Sequence, residues 1–423
     1  MMTYENAIEY LNSTASRGSQ PGLSRVTALL GLLGNPQNSV KCVHVTGTNG
    51  KGSVSRMTAS VLNAEGYKTG LFSSPYLTRV NESIMLGNEE ISDDDFAEIM
   101  DKVKPLAEGL KNPPTEFEIT TAVAFEFFRR KECDVVVLEC GMGGLLDSTN
   151  IIENPLVSVI TNVAKDHASF LGDTISEIAS HKAGIIKMNC PVVWGGSDKE
   201  AERIIEKRAS ELKSQLYTVD FNSLKNVNCD ISGSVFDFGD YKKLKISALG
   251  EYQPRNAAVA ITAVEIIKKG GLHIDKSSVY KGLEDFFLHA RFEQICDNPP
   301  VFFDGSHNPH GVESVVESIK NYFGGKKAVL LMGVMADKDY PEMTRQLSSV
   351  ADRVFTVTPS NPRALDSLRL AMEFEKNKIH AESFENIEFG REAAENYAEI
   401  QNIPLVMLGS LYMYKDVTAV KNQ

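Results

Sequence analysis

Paired cysteines are missing from this sequence. Six are scattered over 423 residues with no C-x-x-C pair, and several fall in apolar runs such as "DVVVLEC". That is the usage of reduced, buried thiols and excludes a disulfide framework. No stretch reaches membrane-spanning length. The N-terminal "MMTYENAIEYLNS" carries acids before any base and has no long apolar run, so it reads as neither a secretory signal nor a transit peptide. The expected location is the cytoplasm. An excess of positive charge is missing too: 44 Lys and Arg face 56 Asp and Glu, for a net charge of −12. The pI near 5.3 says the same. A nucleic-acid or anionic-membrane partner is thereby disfavoured, and any anionic substrate must meet a local basic site. Repeats and low-complexity tracts are absent. The length suggests two domains, each large enough for its own core.

What is present begins with "VHVTGTNGKGSVSRMTASVLNAEGY", residues 43 to 67. Val43 and Val45 read as the end of a buried strand, and Val54, Met57, Val61 and Leu62 recur at helical spacing until Gly66. Glycines between strand and helix let the backbone N–H groups turn inward, and the helix N-terminus adds positive potential. Such a loop suits a phosphate, with Lys51 as the point charge. The strict pattern G-x-x-x-x-G-K-[ST] is broken twice, by Val45 at the first glycine position and by Gly52 after the lysine. A generic kinase or GTPase is therefore disfavoured.

Further on, strand-like and helix-like segments alternate. "YKTGLFSSP", "DVVVLECG", "LVSVITN" and "CPVVWGG" read as strands, and "ISDDDFAEIMDKVKPLAEGL" as a helix opened by Ser92. This order implies a largely parallel sheet covered on both faces. Residues 214–249 change to short polar alternations, an antiparallel excursion, before a helix at "NAAVAITAVEIIKKGG". The alternation restarts with "PVFFDGSHNPHGVESVVESIKNYF", where Val312, Val315, Val316, Ile319 and Phe323 mark an apolar helix face. "KKAVLLMGV", "DRVFTVTP" and "IPLVMLGS" supply further strands. The fold class expected is α/β: an N-terminal P-loop-type ATPase domain with a mostly parallel sheet, residues 1–294, and a smaller C-terminal Rossmann-like domain, residues 295–423.

Two residues carry chemistry by position. Glu139 follows the apolar run Val135 to Leu138, so it ends a central strand at the edge where open α/β sheets bind ligands. A plain strand-end carboxylate in water is the weaker alternative. Thr174 and Glu177 form a capping box that sets a helix start, and Ile175, Ile178, Ala179, Lys182, Ile185 and Ile186 then share one face. Lys182 thus occupies an apolar position. Either it snorkels past the helix edge, or desolvation lowers its pKa and leaves a neutral amine that can capture carbon dioxide as a carbamate.

"GTNGKGS" matches, residue for residue, the nucleotide loop of folylpolyglutamate and dihydrofolate synthases, relatives of the Mur ligases. The resemblance runs nearly end to end and in order: "PGLSRVTALLGLLGNPQ", "FSSPYLTRVNESI", "LECGMGGLLDSTN", "DHASFLGDTISEIASHKAGIIK", "ARFE", "DGSHNPHG", "MGVMADKD" and "GSLY". It implies ATP held by Gly47, Thr48, Asn49, Gly50, Lys51, Gly52 and Ser53, with further contacts from Gln253, Asn256, Arg291, Asp304 and His307. It implies two magnesium ions, one on Ser74, Glu139 and His167, the other helped by carbamylated Lys182. Serine and carboxylate oxygens suit a hard cation, whereas a histidine nitrogen alone would suggest a core residue. Lys51, His167 and Lys182 would serve catalysis, and Asp147, Thr149 and Asn150 would lie near the folate. The implied activity joins L-glutamate to the γ-carboxylate of tetrahydrofolate or its one-carbon forms through an acyl phosphate, with dihydropteroate as a second acceptor. The chain is expected to act as a monomer, without nucleic acid or membrane. A departure falls at Leu145, where many members have arginine.

Two alternatives stand beside this reading. A Mur-type peptidoglycan ligase normally carries a UDP-binding domain before the loop, and only 46 residues precede Gly47. A non-enzymatic nucleotide switch using GTP would need N-K-x-D, and "NKIH" at 377–380 lacks the aspartate.

Overall fold

The computed structural model describes residues 2–166 and 168–419. Its chain packs as two units, Met1–Phe221 with Asn256–Asp285, and Asn222–Arg255 with Phe286–Gln423. The chain crosses between them three times, where the sequence led us to expect one boundary near residue 295. Residues 222–255 group with the second unit through contacts that sequence order does not report: Leu249 joins that unit's core, and Gly250 N donates to Tyr322 Oη at 2.8 Å.

The first unit is built on eight strands: β1 (Lys41–Thr46), β2 (Thr69–Phe72), β3 (Ile84–Leu86), β4 (Glu89–Glu90), β5 (Val135–Glu139), β6 (Val157–Ile160), β7 (Val192–Trp194) and β8 (Leu216–Thr218). They lie in the order β4-β3-β2-β5-β1-β6-β7-β8. All pairs from β2 to β8 are parallel, and β3 and β4 add antiparallel. Strands β2, β5, β6 and β7 are buried at every position. That is what the unbroken apolar runs require when helices cover both faces. One such helix, Asp93–Glu108, starts as its sequence demands, with Ser92 Oγ accepting from Asp95 N at 3.0 Å. Its buried Phe96, Ile99, Met100 and Val103 pack with Phe125 and Phe128 of the helix Glu116–Arg130. Because the strands are parallel, β1, β2, β5, β6 and β7 release their chains at one common edge.

In the second unit β9 (Leu224–Asp230), β10 (Gly233–Phe238) and β11 (Tyr241–Ile246) form the antiparallel excursion. A six-stranded sheet follows: β12 (Glu293–Asp297), β13 (Pro300–Asp304), β14 (Ala328–Met332), β15 (Ala351–Val357), β16 (Ala381–Phe384) and β17 (Leu405–Leu408). Its order is β12-β13-β17-β14-β15-β16, parallel except for β12. The helix Pro309–Tyr322 buries Val312, Val315, Val316 and Ile319, the face its spacing marks. The edge strand β16 escaped the sequence reading, since "AESF" has no unbroken apolar run. Among the described residues no helix is long and apolar enough to cross a membrane, and all six cysteines are free.

Candidate active site

The loop from β1 to the helix Lys51–Ala64 is held by its neighbours at two glycines. A Cβ on Gly47 would lie 1.8 Å from Thr161 Oγ1, and one on Gly50, whose φ is +78°, would lie 2.5 Å from Asn256 Oδ1. Only glycine permits both approaches. The chain leaving β6 then pins the loop. Thr161 Oγ1 donates to Asn49 O at 2.6 Å, Asn49 N donates to Asn162 Oδ1 at 2.9 Å, and Thr48 N donates to Asn162 O at 3.1 Å. Thr48 Oγ1 donates to Ala164 O at 3.0 Å. Lys51 folds back over this turn, its Nζ donating to Gly47 O and Thr48 O at 3.2 Å each. The result is a preset concavity at a helix N-terminus with an ammonium above it, an arrangement complementary to a phosphate.

Beside it, β5 pairs with β1 in the register Val45 to Glu139. Glu139 is only 4% exposed. Ser74 is half-buried in the segment after β2. The helix Ile175–Ala183 begins with the anticipated capping box: Thr174 Oγ1 accepts from Glu177 N at 3.2 Å and Glu177 Oε2 accepts from Thr174 N at 3.1 Å. Lys182 is 2% exposed, so it does not snorkel. Burial first, and then the Lys51 ammonium, bring its pKa down to about 7. The carboxylates of Asp166 and Asp147 oppose the drop without cancelling it.

The "LDSTN" segment is occupied within the protein. Asp147 accepts from Met142 N, Thr149 N and Thr149 Oγ1 at 2.9, 3.0 and 2.6 Å. Thr149 Oγ1 meets His44 Nε2 at 2.8 Å, and Cys140 Sγ lies 3.1 Å from the same nitrogen. Burial holds His44 down to about 3, so the ring is neutral and braces β1 against the turn after β5. Asn150 Nδ2 donates to Leu145 O and Gly184 O at 3.0 and 3.1 Å, tying this turn to the end of the Lys182 helix.

Of the anticipated residues, Gly47 to Ser53, Ser74, Glu139, Lys182 and Asn256 lie in the first unit. Gln253, Arg291, Asp304 and His307 lie in the second. His167 falls outside the described residues. Gln253 is buried and opens the helix Gln253–Lys269. Asp304, at the end of β13 and 0% exposed, accepts from Tyr252 Oη, Phe292 N and Ser306 N, each at 2.8 Å. His307 Nδ1 lies 2.9 Å from Gly305 O. Thr161, Asn162 and Asp166 went unremarked in the sequence. The strand end "VITN" at the ligand-binding edge was the available signal for the first two.

The fold and loop define the Mur ligase class. The Mur ligase middle domain matches residues 45–264 and the Mur ligase glutamate ligase domain residues 290–408. Over 427 residues the chain is 34% identical to a dihydrofolate synthase/folylpolyglutamate synthase of Bacillus subtilis, covering 98% of each. It is 35% identical to the folylpolyglutamate synthase of Lacticaseibacillus casei, covering 97% of each. A solved structure of Mycobacterium tuberculosis folylpolyglutamate synthase complexed with ADP and AMPPCP matches with a TM-score of 0.91 at 27% identity, covering 99% of each chain. The chain belongs to the folylpolyglutamate and dihydrofolate synthase family of the Mur ligases.

Proposed function

We propose that this chain is an ATP-dependent ligase that joins L-glutamate to the γ-carboxylate of a reduced folate. The observation that supports the reading most directly is the 47–53 loop, pinned by Thr161 and Asn162 and walled by Asn256, in a chain that matches folylpolyglutamate synthases end to end. A carboxylate is a poor electrophile. An oxygen of the γ-carboxylate therefore takes the γ-phosphoryl group of ATP, the bond to the ADP oxygen breaks, and an acyl phosphate forms. The glutamate amine then attacks the acyl carbon, loses a proton, and expels inorganic phosphate to leave an amide.

The protein's part is positioning and charge. With Thr48 N and Asn49 N taken by Asn162, the N–H groups at the helix start, from Gly50 to Ser53, hold phosphate oxygens, and Lys51 shifts from the loop carbonyls to the phosphates. Asn256, against Gly50, closes one side of the loop. Arg291 and His307 are nucleotide contacts that the resemblance implies, and Asp304, buried and bonded to Tyr252, Phe292 and Ser306, acts only through the backbone it holds. Ser74 and Glu139, with His167, offer the donors for one magnesium ion. Lys182, buried and neutral enough to add carbon dioxide with loss of one proton to solvent, would as its carbamate offer an anionic oxygen donor to a second ion. A protonated Lys182 would repel a cation and a neutral amine is a poor donor to a hard one, so the carbamate is the form that suits magnesium. Magnesium, when bound, neutralises charge on the phosphates during transfer.

The test is phosphate release from ATP with tetrahydrofolate and glutamate supplied singly and together. The expected result is release that requires both. Release independent of the folate, or its absence with every folate acceptor, overturns the reading.

A further inference from the structure

Arg291 sits between two residues with left-handed backbones, Ala290 at φ +59° and Phe292 at φ +44°. A side chain with a Cβ is strained there, a bulky one most, and such a conformation persists only where the surroundings impose it. Here they do. Ala290 N donates to Glu293 Oε2 at 2.7 Å, and Ala290 O accepts from Gly305 N at 2.9 Å. Phe292 N donates to Asp304 Oδ2 at 2.8 Å. The Phe292 ring is buried against Phe302, Tyr322 and Phe323.

Glu293 is itself held in place. Tyr414 Oη donates to its Oε2 at 2.9 Å, and His289 Nδ1 lies 2.9 Å from its Oε1, which makes Nδ1 the protonated nitrogen because a carboxylate only accepts. Burial pushes the Glu293 carboxyl up, but these donors together with Ala290 N outweigh it and leave the group below the usual carboxylate range. The Tyr414 ring is braced edge-on by Phe303 at 5.2 Å. The Arg291 guanidinium uses Nη1 on Ala290 O at 3.0 Å. Neither Glu293 nor Asp304 forms an ion pair with it among the described residues. Both carboxylates instead grip the backbone on either side of Arg291.

We infer that Glu293, backed by Tyr414, is a positioning residue. It holds Ala290 in a conformation that an alanine would otherwise avoid, and so fixes the direction in which Arg291 presents its guanidinium to the nucleotide. The inference rests on the reading that Arg291 contacts the nucleotide.

The experiment uses the full chain with Arg291→Ala, Glu293→Ala, Glu293→Gln, Tyr414→Phe and the double variant Ala290→Gly/Glu293→Ala. ADP affinity is measured by calorimetry, and kcat and KM for ATP in the ligation assay. Glu293→Ala is expected to weaken ADP binding and raise the KM for ATP about tenfold, the scale of one strained residue released, with kcat changed less. Glycine at 290 takes the left-handed region without steric cost, so the double variant is expected to return to within about threefold of wild type. Glu293→Gln and Tyr414→Phe keep the shape of their side chains. They are expected to show the same split at about two- to fivefold, and they carry the test if Glu293→Ala does not fold.

A Glu293→Ala protein that melts earlier with unchanged ADP affinity, or a double variant with no recovery, overturns the positioning role. If Arg291→Ala weakens ADP binding and the Glu293 variants do not, the positioning role alone fails. If Arg291→Ala binds ADP as wild type does, the reading of Arg291 fails and the inference with it.

Discussion

Asn256 Oδ1 lies 2.5 Å from where a Cβ on Gly50 would sit, so the nucleotide-type loop and the helix Gln253–Lys269 touch at a point that admits no side chain. Gly50→Ala must displace Asn256 and also strain a backbone at φ +78°. It is expected to weaken ATP binding at least about tenfold while leaving the far-ultraviolet circular dichroism unchanged. Titration with ATP checks this. Wild-type affinity would mean that the contact has slack.

Lys51→Ala removes the ammonium that now donates to Gly47 O and Thr48 O. The lysine packs on a loop and not in a core, so cooperative unfolding is expected to persist. Ligation is expected to fall at least about a hundredfold, the scale for losing one preorganised group that stabilises transferring charge. Turnover within tenfold of wild type would remove the phosphate role.

Lys182 offers opposite outcomes for activity and stability. Its folded pKa, about 7, is below the value of 10.5 for a free lysine side chain. Between those values the unfolded chain binds a proton that the native state does not, so this group makes stability rise with pH across that window. Without magnesium or bicarbonate, Lys182→Met is expected to raise the melting temperature, more at pH 6 than at pH 9. Ligation is expected to fall at least about a hundredfold in the same variant. In the wild type, ligation is expected to decline as the pH drops below about 7, because the protonated amine cannot hold a carbamate. Differential scanning fluorimetry at the two pH values and a pH–rate profile check the pair. Full activity in Lys182→Met excludes the carbamate.

Leu145 is 42% exposed, with its backbone N donating to His181 O at 2.8 Å. The site can therefore take a longer side chain without disturbing a core. Arginine there can pair with an anionic acceptor and leucine cannot. Folate glutamylation is expected in the wild type, with weak use of dihydropteroate. Leu145→Arg is expected to shift the ratio of the two kcat/KM values toward dihydropteroate about tenfold, the effect of one charge-assisted contact. Equal use of both acceptors by wild type, or an unchanged ratio in the variant, would free position 145 from that role.

By itself the sequence determined the features that repeat along the chain or close within a few residues. The all-buried strands are legible as apolar runs. The helix after the loop is legible from Val54, Met57, Val61 and Leu62, and the start of the Lys182 helix from Thr174 and Glu177. Capping and periodicity are local, so their physics is written in neighbouring letters. The tertiary structure alone decided what depends on distant groups. Snorkelling and burial were equal prospects for Lys182 until packing desolvated it near Lys51. Thr161 and Asn162 pin the loop because parallel strands end at one edge, and Asn256 walls it from the helix Gln253–Lys269; none of the three is near the loop in sequence. Residues 222–255 join the second unit through Leu249 in its core and the bond from Gly250 N to Tyr322 Oη, while their strands form a sheet of their own. The left-handed turns around Arg291 are unreadable from "HARFE", since an alanine and a phenylalanine adopt them only under the grip of Glu293 and Asp304. Desolvation, close approach and imposed strain are properties of the space around a residue, and that space exists only once the chain has folded.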